Sequence, residues 1–254
     1  MHLLVASPTS AQKLQSAVAQ LGHVCDEATS LRETAQIAQH SGPFDAVVLQ
    51  VTDAVAEALP VLRAIRSRGL SLPVVIVCGK LRVEEEQEAF SLGADDVLTT
   101  PISVQLLIVR LRAIQRRTFG HTTALLRCGN VELDQSRREV SVDSIPARLT
   151  TREFDVLEAL MLRRNVLLTK EQFMSRSYNE GEDANPRILD VFVCKMRRKL
   201  AAAGAAEIVR TVWGSGYTLR EPSEAEVAMA RQNLRAGKSR QPRAHLVPVS
   251  ALAA

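Results

Sequence analysis

Gln50 lies near the end of an apolar segment, FDAVVLQV (44–51), that is typical of a strand buried on both faces of a parallel sheet. In open α/β sheets the working residue often lies at the carboxyl end of such a strand. Glutamine is neither a nucleophile nor an acid nor a base. The nearest carboxylates are Asp45, at the start of the segment, and Asp53, beyond its end. The pattern therefore predicts a site position without a reactive group.

A second group of side chains lies on a predicted helix over residues 186–202. Apolar residues recur there at spacings of four, three and four, so one side is predicted to be core: Leu189, Val193, Met196 and Leu200. The opposite side mixes cations with small residues, as a helix in the DNA major groove requires. A solvated basic surface is the alternative interpretation. The residues of this side are Arg187, Val191, Cys194, Lys195 and Arg198, flanked by Arg197 and Lys199.

Strand and helix patterns alternate through the first 117 residues. Five strands alternating with five helices predict a doubly wound α/β domain with a five-stranded parallel sheet. Ser7 with Pro8 is predicted to begin the first helix, and Ser103 the last. The predicted strands lie at 2–6, 23–27, 44–51, 73–78 and 95–99, and the predicted helices at about 8–21, 30–40, 54–68, 83–92 and 103–117.

The pattern changes after a short linker at 118–125. Short strands are predicted in LLRCGNVELD, REVSV and IPARLT, and two helices and the basic helix follow. The segment AEIVRTVWGSGYTLRE (206–221) reads as two strands around a glycine-containing turn at 214–216. Helix, short helix, basic helix and hairpin in that order predict an α+β winged helix-turn-helix domain over residues 126–222.

Three helix starts in this second domain have recognisable caps. LTTREF and LTKEQF each contain a capping box, in which a threonine and the residue three positions later satisfy each other's backbone. NPRIL supplies an asparagine cap followed by proline. The predicted capping residues are Thr150 with Glu153, Thr169 with Gln172, and Asn185.

Composition and charge exclude several classes of protein. The 254 residues carry a formal charge of +4, and the excess lies in the second half: −1 for residues 1–118, +3 for 119–220 and +2 for 221–254. This distribution is a mild indication of an anionic partner. No apolar run approaches the ~18 residues of a membrane span, and the N-terminus does not resemble a signal peptide. Four widely spaced cysteines predict a reduced, cytoplasmic protein without a metal or cofactor.

Residues 1–117 resemble the receiver domain of response regulators, which implies a flavodoxin-like strand order. The resemblance rests on HLLVA, FDAVVLQV, PVVIV and GADDVLTTPIS. Receivers transfer a phosphoryl group to an aspartate with the help of Mg²⁺, and this chemistry needs carboxylates and a cation. The family's acidic pair, phosphoacceptor, hydroxyl and lysine fall here on Ser7 and Pro8, Gln50, Cys78 and Thr100. The resemblance therefore implies a degenerate receiver; phosphorylation at Asp45 or Asp53 is an alternative.

The same resemblance implies a two-fold dimer through the surface formed by residues 84–117. Two of the family's ion pairs correspond to Asp96 with Arg110 and Asp95 with Arg117. A third pair is missing, since Leu106 and Glu86 replace its members. Exposed ion pairs contribute only ~0–1 kcal/mol each. Apolar residues, among them Ile102 and Leu106, are expected to add contact area, although some of these belong to the core.

Residues 126–222 resemble the DNA-binding domain of the OmpR/PhoB family, and most of all its CtrA branch. The motifs are LTTREFDVLEAL, DVFVCKMRRKL and VRTVWGSGYTLRE. The resemblance implies contacts to base edges from Val191, Cys194, Lys195 and Arg198, and contacts to phosphates from Arg187, Arg197 and Thr211. It also puts the hairpin at the minor groove. Trp213, a further candidate for DNA contact, replaces an arginine of some relatives; we expect it to pack under the wing, with a minor-groove contact as the alternative.

These observations predict a phosphorylation-independent bacterial transcription regulator, cytoplasmic and nucleoid-associated when bound to DNA, and not an enzyme. An antagonist that docks on proteins and barely binds DNA is the alternative. The resemblance implies contact between the loop at 178–186 and RNA polymerase, and a plain solvated loop is the alternative. Residues 223–254 are expected to be disordered. The final Ala253 and Ala254 resemble tags that ClpXP-type proteases engage, and plain alanine bias is the alternative.

Overall fold

The computed structural model of the chain describes residues 1–239 apart from 9–10, 29, 178–184 and 186. Its first half contains one parallel sheet with the strand order β2-β1-β3-β4-β5, so the predicted doubly wound fold is confirmed. The strands are β1 His2–Ala6, β2 Val24–Ala28, β3 Ala46–Gln50, β4 Val74–Cys78 and β5 Asp96–Thr99. The helices are α1 Gln12–Gln20, α2 Thr34–His40, α3 Leu59–Ser67, α4 Val83–Ser91 and α5 Val104–Thr118.

Helices cover both faces of this sheet, because its central strands β1, β3 and β4 are apolar at nearly every position. Neighbouring residues of each strand point into different cores. Leu4 of β1 and Leu49 of β3 pack with α3, whereas Leu3 of β1 and Val48 of β3 pack with α5. All four side chains are fully buried. A parallel sheet covered in this way keeps its functional positions at the ends of its strands.

Of the two helix starts predicted in this domain, the one at Ser103 is confirmed and the one at Ser7 and Pro8 is not. The Ser103 hydroxyl accepts a hydrogen bond from the Leu106 amide, as expected of an N-cap. The prediction that α1 begins at Ser7 and Pro8 is wrong, since α1 begins at Gln12. The Ala11 amide that precedes it donates instead to the Glu27 carboxylate at the end of β2. A long-range contact thus takes the place of the local cap.

The second half contains two small antiparallel sheets and the predicted helices. The first sheet has the order β6-β7-β8-β9, and the second joins β10, β12 and β11. Residues from both sheets and from α6 and α8 form one core. The elements are β6 Leu125–Cys128, β7 Val131–Asp134, β8 Glu139–Val142, β9 Ile145–Pro146, α6 Thr151–Leu162, β10 Leu168–Thr169, α7 Lys170–Ser177, α8 Arg187–Ala202, β11 Val209–Val212, β12 Gly216–Leu219 and α9 Glu224–Ser239.

Each predicted cap of the second domain is present. The side chains of Thr150 and Glu153 bond to each other's backbone amides, which completes the capping box of α6. Thr169 and Gln172 make the same reciprocal pair at the start of α7. Asn185 Oδ1 accepts from the Arg187 amide at 2.9 Å, at the start of α8.

The expectation of disorder from residue 223 onward is wrong for residues 224–239, which form helix α9. Ser223 caps this helix in a reciprocal box with Glu226. Leu234 lies against Gly204, and Val227 lies near Gly129, so the helix packs on the winged-helix domain. Composition alone misses such a helix, because its few apolar residues find their partners far away in sequence. Residues 240–254 lie outside the described part of the chain.

Candidate nucleic-acid interface

Helix α8 has a buried side and an exposed side, in the arrangement that its sequence predicts. Leu189, Val193, Met196 and Leu200 are all buried in the core of the second domain. The residues on the opposite side are exposed to solvent: Arg187, Val191, Cys194, Lys195 and Arg198. Cations alternate on this side with two short side chains, which allows close approach to a grooved anionic surface.

Asp190 holds the start of α8 against both of its neighbours. Its carboxylate accepts hydrogen bonds from Lys170 of α7 and from the Tyr217 hydroxyl of β12, each at 2.7 Å. These two donors keep the pKa of Asp190 below its ordinary value. Burial, followed by the bond to Asp190, raises the pKa of Tyr217 to about 12. A single carboxylate therefore fixes the helix relative to both the preceding helix and the hairpin.

Glu153 fixes the other end of α8. It is almost fully buried, and Lys199 of α8 donates to its Oε2 at 2.5 Å while the Thr150 amide donates at 2.7 Å. Burial alone would raise the pKa of Glu153, but the bonds from Lys199 and Thr150 lower it below the ordinary value. Lys199 is thereby directed toward α6, away from the exposed side of α8.

Arg197, a residue of α8, connects this helix to the hairpin. Its Nη2 donates to the Val209 carbonyl oxygen at 2.8 Å and to Thr211 Oγ1 at 3.0 Å, and its guanidinium lies over the Tyr217 ring. These contacts give Arg197 a positioning role that the sequence did not indicate. The phosphate contacts of Arg197 and Thr211 stay predictions.

Trp213, at the tip of the hairpin, is 92% exposed. The expectation that it lies under the wing is wrong. The inner side of the hairpin is occupied by Tyr217 and Leu219, and the turn lies so close to β10 that a Cβ atom at Gly216 would overlap the Leu168 carbonyl oxygen. The Trp213 ring itself extends into solvent.

Comparison with known proteins identifies this arrangement. The family described as "Transcriptional regulatory protein, C terminal" matches residues 145–219. The cell cycle transcriptional regulator CtrA of Caulobacter vibrioides is 34% identical over 182 residues, which cover 71% of this chain and 79% of that protein. The chain belongs to the OmpR/PhoB family of response regulators. The cell cycle response regulator CtrA of Brucella anthropi is 35% identical over 180 residues, 70% of this chain and 78% of that protein.

Two solved structures of response regulators are also similar. The response regulator DrrB of Thermotoga maritima is 20% identical with a TM-score of 0.38, and the match covers 86% of this chain and 99% of that one. The DNA-binding domain of AdeR, solved in complex with an intercistronic region, is 29% identical with a TM-score of 0.34. That match covers 37% of this chain and 96% of the AdeR chain.

The residues at the family's phosphoacceptor positions lie at one edge of the receiver sheet. Ser7 follows β1, and Gln50 and Cys78 end β3 and β4. Thr100 follows β5, and its hydroxyl donates to the Cys78 carbonyl oxygen at 3.4 Å. Burial raises the pKa of the Cys78 thiol, which disfavours its thiolate. Pro8 is exposed beyond Ser7.

The two alternative carboxylates differ in position. Asp53 is exposed beyond the end of β3, and Asp45 precedes β3 at the opposite edge of the sheet. The Asp45 side chain is only 3% exposed and is held by donors from both domains. Within the residues that the structure describes, no group of three or more His, Cys, Asp or Glu side chains has an arrangement that could hold a metal ion.

The predicted dimer surface is partly engaged within the chain itself. Arg110 and Asp96 form an ion pair at 2.9 Å, and Asp95 pairs with Arg66 at 3.0 Å. Arg117 and Leu106 are exposed, whereas Ile102 is half-buried. Exposed apolar side chains on α4 and α5 extend this surface: Val83, Phe90, Leu106 and Val109. Pairing of Asp95 with Arg117 across a dimer stays a prediction.

Three further predictions fall on other parts of the chain. Nearly all of the loop at 178–186 lies outside the described residues, as do Ala253 and Ala254. No described helix is long and apolar enough to cross a membrane. What sequence reasoning missed in this interface is the supporting bonds from Lys170 to Asp190, from Lys199 to Glu153 and from Arg197 to Val209, which join residues 12 to 46 positions apart.

Proposed function

We propose that this protein is a sequence-specific DNA-binding transcription regulator that acts in the bacterial cytoplasm without phosphorylation of its receiver. The exposed basic side of α8 is the observation that carries the proposal. A helix with a merely solvated surface would not need three tethers to the surrounding elements, at Asp190, Glu153 and Arg197. Rigid support of this kind is what a readout helix requires, because base contacts depend on sub-ångström placement.

The exposed residues of α8 divide into two roles in this proposal. Lys195 is central on the exposed side, and with Val191, Cys194 and Arg198 it faces base edges in the major groove. Arg187 is near the start of the helix, where the backbone amides also favour phosphate. Arg197 and Thr211 add phosphate contacts from the base of the wing.

Trp213 takes the minor-groove contact in the same arrangement. A tryptophan that is 92% exposed at a hairpin tip has no packing role within its own chain. Minor-groove proteins use apolar side chains against sugars and base steps. The indole ring therefore supplies contact area without the base-type discrimination that a hydrogen-bonding side chain would add.

Independence from phosphorylation is supported by the chemistry of the sheet edge. Gln50, Ser7 and Thr100 offer neither a carboxylate to attack phosphorus nor a cation to stabilise the transferred group. Asp45 is buried at the opposite edge, which disfavours it as a substitute acceptor. Asp53 is exposed but lacks the neighbouring carboxylates that Mg²⁺ needs.

The receiver then serves as a dimerisation module. Support comes from the exposed apolar residues of α4 and α5, Val83, Phe90, Leu106 and Val109, which lie among charged side chains. Glu84 and Glu86 make α4 acidic, whereas Arg110 and Arg117 make α5 basic, so two copies related by a two-fold axis have complementary charges. Contacts of the 178–186 loop with RNA polymerase and of Ala253 and Ala254 with a protease are further proposals from the family resemblance.

The experiment that tests DNA reading compares three lysine and arginine variants. A binding site is selected from random duplexes with the unphosphorylated full-length protein, and affinities are measured on this site and on scrambled DNA. Lys195→Ala is expected to lose ~1–3 kcal/mol on the selected site and to relax one base position. Arg187→Ala is expected to weaken both DNAs alike and to reduce the salt slope by ~1.

Lys13→Ala is the matched control, because it removes the same charge from an exposed position on the receiver. It is expected to leave both affinities nearly unchanged. Equal losses for Lys195→Ala on both DNAs would make Lys195 a phosphate contact and would contradict the proposed helix placement. Failure to select any site would favour the alternative of a protein-docking antagonist.

A further inference from the structure

Asp45 joins the receiver to the DNA-binding domain. Its carboxylate lies at the amino-terminal edge of the sheet and accepts hydrogen bonds from the His2 amide at 2.9 Å and from Gln115 Nε2 at 2.8 Å. Arg163 of the winged-helix domain donates to Asp45 Oδ1 at 2.9 Å. The side chains of Asp45 and Arg163 are 3% and 14% exposed, so the pair is shielded from water.

Arg163 also contacts the linker between the domains. It follows the last residue of α6, and its guanidinium lies 4.6 Å from the centre of the Phe119 ring, just after α5. Beside it, His121 Nε2 donates to the Leu162 carbonyl oxygen at 3.0 Å. One arginine thus engages the receiver body and the linker at the same time.

The surroundings of this pair are close-packed. Helix α7 lies beside β1 and β2 of the receiver. A cavity of only about 50 Å³ remains at the contact, lined from both domains by residues that include His23, Asp45, Arg163 and Phe173. A space of that size admits no more than a few water molecules. Docking leaves the basic side of α8 exposed to solvent.

We propose that the Asp45–Arg163 pair is an interdomain latch, which holds the winged-helix domain in one orientation on the receiver with α8 facing outward. Asp45 retains the His2 amide and Gln115 as donors from its own domain, so it stays satisfied when Arg163 leaves. Release therefore frees the DNA-binding domain without disrupting the receiver core. The effect of the latch on DNA rests on the proposed function; the docking itself does not.

The latch gives the receiver a role that needs no phosphoryl transfer, because the receiver then sets the orientation of the DNA-binding domain. With the domains fixed, the two α8 helices of a dimer have a defined separation, and two half-sites ~10 base pairs apart are favoured over other spacings. With the domains free, the linker lets each helix find its half-site separately. The latch thereby converts the geometry of the receiver dimer into a preference for half-site spacing.

The test compares two neighbouring arginines in the full-length protein. Arg163→Gln removes the interdomain pair, whereas Arg164→Gln removes an ion pair with Glu221 that lies within the DNA-binding domain. Both variants are first shown to be folded by circular dichroism. Limited chymotrypsin digestion then measures cleavage after Phe119, identified by fragment mass, and small-angle X-ray scattering measures the radius of gyration.

Arg163→Gln is expected to speed cleavage after Phe119 roughly tenfold, because local opening exposes the linker, and to enlarge the radius of gyration. Arg164→Gln is expected to match the wild type in both measurements. Asp45→Asn, which removes the charge but keeps an acceptor oxygen, is expected to behave like Arg163→Gln. Unchanged cleavage and scattering in both Arg163→Gln and Asp45→Asn would overturn the latch.

A spacing series on DNA tests the consequence. Two selected half-sites are moved apart by one to four base pairs, and wild type is expected to lose affinity steeply while Arg163→Gln loses much less. Identical spacing profiles would overturn the orienting role of the latch. Absence of specific binding by wild type would contradict the proposed function, whereas the cleavage and scattering results would still decide whether the latch exists.

Discussion

The hydroxyl of Tyr217 on the wing donates a hydrogen bond to Asp190 Oδ1 on helix α8, at 2.7 Å. The two residues are 27 positions apart, and this bond links the two elements that the proposal directs into adjacent grooves of DNA. The bond therefore ties the position of the wing to that of the helix.

Tyr217→Phe removes this link while keeping the buried ring. We expect a loss of about 1 kcal/mol in stability, because Asp190 keeps Lys170 as a donor and is not left unsatisfied. We expect DNA affinity to fall severalfold on selected and scrambled DNA alike, since the wing loses its fixed position. Thr218→Val, on the half-buried neighbour, is the control. Unchanged affinity in Tyr217→Phe would show that the wing needs no such link.

Trp213 is the only tryptophan of the chain, so its fluorescence reports on the wing alone. Because the ring is 92% exposed, we expect emission at the wavelength of a solvated indole in the free protein and a shift to shorter wavelength with duplex DNA. Trp213→Ala is expected to cost about 1 kcal/mol of affinity. An unshifted spectrum at saturating DNA would exclude contact between Trp213 and the minor groove.

Glu153 makes the stability of the second domain dependent on pH. Its folded-state pKa lies below the ordinary 4.5, so its carboxylate stabilises the fold above pH 4.5, and this contribution is lost as pH falls through the folded-state pKa. We expect Glu153→Gln to lower the free energy of unfolding by about 1–3 kcal/mol at pH 7.

Thermal unfolding from pH 7 to pH 3 checks this expectation. The difference in midpoint between wild type and Glu153→Gln is expected to shrink below pH 4.5. Glu132→Gln, which breaks a solvent-exposed pair with Arg127, is the matched control and should cost no more than about 0.5 kcal/mol. A difference that stayed constant with pH would mean that the charge of Glu153 contributes nothing.

Leu106 tests the dimer surface. Leu106→Glu introduces a carboxylate at an exposed position of α5, facing the acidic α4 of a second copy in the proposed dimer. Because like charges would then meet, we expect the dissociation constant of the dimer, measured by analytical ultracentrifugation, to rise at least tenfold. Val166→Glu, at an exposed position of the DNA-binding domain, controls for the added charge. Wild type that sediments as a monomer at tens of micromolar would contradict dimerisation.

Local patterns in the sequence predicted most of the fold. The capping boxes at Thr150 and Thr169 lie within four residues of chain, and the apolar spacing of Leu189, Val193 and Met196 follows directly from the helix repeat. Such features depend on neighbours in sequence. The predicted exposed side of α8 follows from the same repeat, which is why most of the candidate interface was accessible without coordinates.

The remaining features depend on contacts between distant residues. Asp45 and Arg163 are 118 positions apart, and nothing around either residue indicates its partner. Helix α9 has a polar composition and is held through partners such as Asp143, which pairs with Arg231. The expectation for Trp213 rested on the replacement of an arginine of some relatives, which carries no information on the packing around the hairpin turn, and the ring is 92% exposed.

The central claim is that DNA binding proceeds without phosphorylation of the receiver. The direct test is the affinity of full-length protein for its selected site, measured before and after incubation with acetyl phosphate and Mg²⁺, with intact mass recorded on the same samples. We predict identical affinities and no added mass of a phosphoryl group, because Gln50, Ser7 and Pro8 cannot perform the transfer. A phosphorylated species with raised affinity would contradict the account, and loss of that species in Asp53→Asn would identify the acceptor.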